Sequence, residues 1–223
     1  VITGRSQDRL DSAVAQLRAE ATDVLALQGD VRDYATVESW MAGAVGHFGA
    51  LDILVNNAAG NFFCPTAELS PNGWKSVIDI DLNGTFYCCR AAYPALRESR
   101  FGGSIISIIT MLAVTGWPGA AHAGAAKAGI LSLSRALAVE WGPDRIRVNT
   151  ISPGPIEDTV GVARLYEDTG RSELEKRKTI LGRFGKKDDI ANAAVYLSSD
   201  LGSYMTGENM VVDGGRWLKY VAA

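Results

Sequence analysis

A doubly wound α/β fold with a parallel sheet is what this sequence predicts, on three observations. Short runs rich in Val, Ile and Leu, at residues 24–27, 51–55, 104–110, 146–151 and 210–212, alternate with helical patterns, which is the signature of repeated β-then-α units. The run Ser104-Ile-Ile-Ser-Ile-Ile-Thr110 is apolar almost throughout, as a strand covered on both faces must be. Two of the strands run into turns built from small residues and proline, Asn57-Ala-Ala-Gly60 and Pro153-Gly-Pro155, and sheets of this kind bind ligands at the carboxyl ends of their strands.

Size and composition bound the rest. With 223 residues, 47% of them hydrophobic, the chain can bury one substantial core, so residues 1–223 read as one domain. A net charge of -3 gives no global basic field for nucleic acid or an anionic membrane. Three cysteines, Cys64, Cys88 and Cys89, and two distant histidines, His47 and His122, form neither a disulfide framework nor a metal-ligand cluster. No metal is expected. No apolar stretch approaches the ~20 residues a spanning helix needs, and no signal peptide is visible.

In chain order, Val1-Ile-Thr-Gly4 is a strand end, succeeded by a helix with Leu10, Val14 and Leu17 on one stripe and Ser6 as its N-cap. Residues 24–27 form the next strand, a helix covers 34–48, and the strand at 51–55 closes on Asn56-Asn-Ala-Ala-Gly60. A long helix runs over 72–98 with Asp79-Ile-Asp81-Leu-Asn83 in its middle. After the central strand at 104–110, the loop Thr115-Gly-Trp-Pro-Gly119 leads into a helix at 120–141 that Gly142-Pro143 stops. That helix carries one lysine, Lys127, in a small apolar turn. On pattern alone, snorkelling to solvent and a functional role are equally good readings of it. Residues 157–182 are polar and weakly periodic, and read as a mobile helical excursion over a site. A helix at 188–198 and a strand at 210–212 close the chain at Asp213-Gly-Gly215.

Asn56-Asn-Ala-Ala-Gly60, Lys127 in the central helix, Pro153-Gly154 after the next strand, and Thr206-Gly207 through Asp213-Gly-Gly215 together resemble the short-chain dehydrogenase/reductase family, over essentially the whole chain. The resemblance implies a Rossmann-type sheet. Two features depart from the family pattern. The family opens with a strand and a Gly-rich turn that seats a pyrophosphate on a helix N-terminus, and Val1 to Gly4 matches the family's second strand instead. The first βα unit is therefore missing from this sequence, and the natural protein is expected to be longer by roughly 30 residues. In the family's catalytic Asn, Ser, Tyr, Lys set, the Tyr position here is Ala123, the Ser position Thr110 and the Asn position Asp81. Only Lys127 is retained, and alanine cannot protonate a carbonyl oxygen.

One branch of the family lacks that tyrosine, the peroxisomal-type 2,4-dienoyl-CoA reductases. The runs Asn57-Ala-Ala-Gly-Asn-Phe62, Asp81-Leu-Asn-Gly-Thr-Phe86, His122-Ala-Gly-Ala-Ala-Lys127 and Ala138-Val-Glu-Trp-Gly-Pro143 are similar to it. Leu112 stands where the mitochondrial type carries a tyrosine, and Leu131 where the peroxisomal type carries an acid. The resemblance implies NADPH-dependent reduction of a 2,4-dienoyl thioester to a 3-enoyl thioester in unsaturated fatty-acid breakdown. Lys127, Asp81 and Thr110 are then the catalytic candidates.

An arginine at the end of the second strand meets a 2′-phosphate where a carboxylate would meet a 2′-hydroxyl. Arg5 and Arg9, flanking Ser6, are therefore read as NADP(H) ligands, with two solvated helix-start arginines as the alternative. The resemblance places Asp30 and Val31 at the adenine, Asn57, Ala58 and Gly60 at its ribose, Pro153, Gly154 and Ile156 at the nicotinamide, Thr159 at the pyrophosphate and Lys127 at the nicotinamide ribose. It places Arg32 and Arg164 at the CoA phosphates, and Phe62, Ser70 and Asn72 along the thioester path. A homotetramer packed through the two long helices is implied as well. The last residues, Val221-Ala-Ala223, do not form a peroxisomal tripeptide, so a bacterial cytoplasm is preferred to a peroxisome. Two other readings stay open: a short-chain reductase of another enone or acyl thioester, and a catalytically silent nucleotide-binding homologue.

Overall fold

A computed structural model describes residues 1–20, 23–163, 166 and 170–219. Six strands and nine helices alternate among them: β1 (Ile2–Gly4), α1 (Gln7–Ala19), β2 (Ala26–Gln28), α2 (Tyr34–Phe48), β3 (Ile53–Asn56), α3 (Pro71–Ile78), α4 (Gly84–Arg97), β4 (Gly103–Ile108), α5 (Ala121–Trp141), β5 (Ile146–Pro153), α6 (Val160–Val162), α7 (Ser172–Arg177), α8 (Lys187–Ser198), β6 (Asn209–Val212) and α9 (Arg216–Lys219). All pairings are parallel. β1 pairs with β2, with Thr3 opposite Leu27. β3, β4, β5 and β6 lie side by side in chain order, with Ile105 opposite Val148 in the central pair. The sheet is thus in two pieces, and along β3 the side chains of Ile53 and Val55 are exposed.

The central strands show why the fold is doubly wound. Ile105 and Ile106 are both fully buried, and their alternation sends them to opposite faces. Ile105 packs with Cys89, Ala92 and Leu96 of α4, Leu137 and Trp141 of α5, and Val148. Ile106 packs with Ile151 and with Ala193 and Leu197 of α8. Each such side chain contributes about 1.5–3 kcal/mol by leaving water, so a strand with isoleucines on both faces stabilises both layers.

Local chemistry sets the helix ends. The Ser6 hydroxyl accepts from the Arg9 N–H, and the Asp33 carboxylate accepts from the Ala35 N–H to start α2. Ser70 does the same for Gly73 in α3. The single helix that the sequence predicts over 72–98 is interrupted: Asp79–Asn83 forms a π-helical turn between α3 and α4. A π turn inserts one residue into the helical ladder and rotates every later residue about the axis. Here it turns Asp81 inward, leaving the side chain 1% exposed, while the Thr85 hydroxyl donates to the Asp81 carbonyl at 2.6 Å.

The described residues at the end of the 157–182 segment fold back on the sheet. Ile156 and Gly185 form a parallel bridge, and the Ile180 and Leu181 N–H groups donate to the Gly214 carbonyl. None of the described helices is long and apolar enough to cross a membrane, and the described residues hold no His, Cys, Asp and Glu cluster able to bind a metal.

Candidate active site

A cavity of about 610 Å³ opens at the carboxyl ends of β3, β4, β5 and β6, lined there by Asn57, Thr110, Pro153, Gly154 and Asp213. This is where a parallel sheet gathers its ligand-binding loops. Gly154 is required by close approach: a Cβ would sit 2.8 Å from the Asp213 Cα. Beyond the strand ends the wall becomes apolar, with Met111, Leu112, Trp117, Val162 and Ile190.

Next to Ile108, which lines the cavity, lies the ion pair that ties α5 to the π turn, though neither of its residues lines the cavity itself. Lys127, in the second turn of α5, is 6% exposed; its Nζ lies 3.2 Å from Asp81 Oδ2 and donates to the Ile108 carbonyl at 3.1 Å. Asp81 Oδ1 accepts the Gly60 N–H at 2.7 Å. A buried lysine needs such partners, because an unpaired ammonium in this setting is costly. Each carboxylate oxygen keeps a lone pair beyond these contacts, so the lysine and the Gly60 N–H do not exhaust the acceptor capacity of Asp81. Asp81 is therefore held by Lys127 as well as by a backbone N–H, and Lys127 does not snorkel to solvent.

Thr110 lines the cavity, and its hydroxyl oxygen accepts the Leu112 N–H at 3.1 Å, leaving its O–H free to donate. Ala123 is buried with Val77 and Ala126 in an apolar cluster. The family's tyrosine position is therefore filled by hydrocarbon. Leu131 packs with Ile109 and Ile130, so Asp81 is the carboxylate that meets Lys127.

The cofactor candidates fall into two groups. Asn57, Pro153, Gly154, Ile156 and Thr159 line the cavity, and Thr159 also donates to the Ile156 carbonyl at 2.7 Å. Gly60 touches the site through Asp81, and Ala58 is exposed in the same loop. Arg5, Ser6 and Arg9 are exposed at the end of β1 and the start of α1. Asp30 carries an Arg32 fork, with Arg32 Nη2 at 2.7 Å and Nε at 3.0 Å from its two oxygens. That guanidinium holds the Asp30 carboxyl below its ordinary range against the opposing effect of burial. Val31 packs against Gly84 at the end of the π turn.

The proposed substrate residues are spread more widely. Arg32 is engaged by Asp30, two residues away. Phe62 stacks at a tilt on His122, ring centroids 4.5 Å apart, and is partly exposed. Ser70 caps α3 and Asn72 is exposed in its first turn. Arg164 lies outside the described residues.

Several residues with no role assigned from sequence are brought to this region by the fold. His122 is fully buried beside Phe62, and its ring nitrogens make no hydrogen bond of ordinary geometry. Burial lowers its pKa, while the Phe62 backbone and Asp81 act in the opposite direction. Trp117, Tyr166 and Arg216 line the cavity from three separate segments. Trp117 stands out in the sequence only as a large residue in a Gly/Pro loop, and nothing in the pattern marks Arg216.

A parallel doubly wound sheet with a ligand cavity at the carboxyl ends of its strands is of the Rossmann type. Comparison with known proteins agrees. A sequence model of the family described as Enoyl-(Acyl carrier protein) reductase matches residues 1–216. The chain is 42% identical, over 98% of its length and 86% of the other's, to a probable 2,4-dienoyl-CoA reductase, (2E)-enoyl-CoA-producing, of Bacillus subtilis. It is 44% identical, over 97% of its length and 75% of the other's, to a peroxisomal 2,4-dienoyl-CoA reductase, (3E)-enoyl-CoA-producing, of Arabidopsis thaliana. A short chain dehydrogenase from Bacillus anthracis superposes with a TM-score of 0.84 at 41% identity, covering 97% of this chain and 85% of that one. The chain belongs to the short-chain dehydrogenase/reductase family.

Proposed function

We propose that this chain reduces 2,4-dienoyl-CoA thioesters with NADPH to 3-enoyl-CoA. One observation carries the reading: the buried Lys127–Asp81 pair stands beside Ala123, where no phenol is available to protonate a carbonyl. The dienoyl-CoA reductase relatives support the substrate class. NADPH, when bound, would supply a hydride; Asn57, the Pro153 to Ile156 loop and Thr159 would hold it, with Arg5 and Arg9 available to its 2′-phosphate and Asp30 and Val31 to its adenine. Arg5 just after β1 and Arg9 in the first turn of α1 are both exposed, as a phosphate contact requires.

Reduction at the far end of a conjugated diene pushes charge onto the thioester oxygen. Lys127, with its ammonium fixed by Asp81 and the Ile108 carbonyl, stabilises that charge, and the free Thr110 O–H adds a second donor. Losing one such donor typically costs ~3 kcal/mol of barrier. Asp81 then orients the water that protonates the carbon next to the thioester, which leaves the double bond at the 3-position. Conjugation makes the missing tyrosine tolerable, since the acceptor is carbon and not an isolated carbonyl.

Arg32 and Arg164 are assigned to the CoA phosphates, Phe62, Ser70 and Asn72 to the thioester path, and residues 157–182 to covering the acyl chain; Val162 and Tyr166 on the cavity wall support the last assignment. A homotetramer packed through the long helices is part of the same reading, supported by exposed Phe86 on α4 and Val139 on α5. So is a bacterial cytoplasmic setting, which the Bacillus subtilis relative supports. The test is loss of NADPH absorbance with a 2,4-dienoyl-CoA, with the product's double bond located by whether it stays conjugated to the thioester. No turnover overturns the reading, and a conjugated 2-enoyl product overturns the placement of the proton.

A further inference from the structure

The turn after β6 bears on the cavity in a way that neither hydride nor proton transfer uses. Asp213 caps this turn, accepting the Gly215 N–H at 2.9 Å and the Trp217 N–H at 2.8 Å. Gly214 and Gly215 both adopt positive φ, 64° and 77°, a conformation that glycine takes without strain. The chain therefore reverses sharply and sends Arg216 back to the cavity wall, where it is 5% exposed. Its guanidinium donates to the Glu175 carbonyl at 3.1 Å and pairs with the Glu175 carboxylate, itself 4% exposed. The same guanidinium lies 5.4 Å from the Trp117 ring centre and 6.0 Å from that of Tyr166. One side chain thus touches Glu175 of α7, Trp117 of the loop before α5 and Tyr166 after α6, the last two of them on the cavity wall.

We infer that Arg216 is a specificity-determining residue for the acyl chain, holding Trp117 and Tyr166 in place as the apolar wall against which a longer chain packs. This rests on the dienoyl-CoA reading. Glu175 neutralises the guanidinium, so Arg216 presents the cavity with a flat, weakly hydrated plane and not a bare cation. Planar cations over aromatic faces fix ring orientation as well as position. The neighbouring wall, Met111, Leu112, Val162 and Ile190, suits a hydrocarbon tail. Arg216 acts through the rings it positions and takes no part in the proton or hydride steps.

The test compares a short and a longer 2,4-dienoyl-CoA, and the matching saturated acyl-CoAs by calorimetry, on wild type and Arg216→Ala. Glu175 keeps its Lys178 partner at 2.6 Å in that variant, which favours folding. The expected result is a KM for the longer substrate raised about tenfold, as for the loss of apolar pocket contacts, with kcat and the short substrate little changed. The affinity gained per added chain segment should fall in the same variant with the saturated ligands, where no turnover is involved. Arg216→Lys, which keeps the cation, should recover part of the length preference. Equal effects on both chain lengths overturn the role of Arg216 while leaving the reductase reading intact. A wild-type protein that binds acyl-CoA with a length preference but reduces no dienoyl thioester overturns the reaction and keeps the wall. A wild type with no affinity for either thioester overturns both.

Discussion

Lys127 Nζ lies 3.2 Å from Asp81 Oδ2, and both residues are almost wholly withdrawn from solvent. The pair joins α5 to the π turn between α3 and α4, and through the Gly60 N–H it also fixes the loop after β3. Breaking it therefore has two separable effects, on folding and on chemistry.

Asp81→Ala strands a buried ammonium and is expected to cost about 3 kcal/mol of stability, read as a lower urea midpoint. Asp81→Asn keeps a polar partner and should cost less stability, yet lower kcat by about a hundredfold or more through the lost proton path. A variant with normal kcat would remove Asp81 from the mechanism.

Restoring the family tyrosine should not restore carbonyl reduction. Ala123 is 2% exposed and packs against Val77, so Ala123→Tyr forces a large ring into a filled space at a cost of roughly 1–3 kcal/mol or more. The expected outcome is a lower melting temperature and no gain of activity on simple ketones; a stable, ketone-reducing variant would contradict the packing.

Cofactor choice should respond to Arg5. Arg5→Glu replaces a phosphate donor with a like charge, and the NADPH-over-NADH ratio of kcat/KM should fall at least about tenfold, the scale of one lost charged hydrogen bond. Measuring both cofactors with one substrate checks it, and an unchanged ratio would leave Arg5 as a solvated helix-start residue.

His122 gives a pH signature. Burial lowers its folded pKa below the unfolded value of about 6.5, so between the two values the unfolded chain binds more protons and stability falls as pH is lowered. His122→Phe should flatten this dependence just below about pH 6.5, in melting temperatures taken across that window. An unchanged profile would show that the ring titrates as freely in the fold as out of it.

Most elements are legible in the sequence because each rests on a local rule. Ser6 and the stripe of Leu10, Val14 and Leu17 mark α1, which starts where expected, and the apolar run of β4 fits a doubly covered strand. Legibility fails where geometry depends on contacts distant in sequence. The π turn at Asp79–Asn83 carries no periodicity signal. Position at a strand end lets Arg32 face the site mouth, and only the fold shows its guanidinium forked on Asp30 two residues earlier. Arg216 meets Glu175 and Trp117 only because the sheet returns the chain to the same strand ends.

The π turn makes the length of this helix as constrained as its composition. Each residue advances an α-helix by about 100°, so removing one residue between Asp79 and Asn83 would regularise the ladder while swinging the carboxylate off the side that faces α5. A single-residue deletion or insertion at this turn should therefore be lethal to turnover, even where every surviving side chain is unchanged.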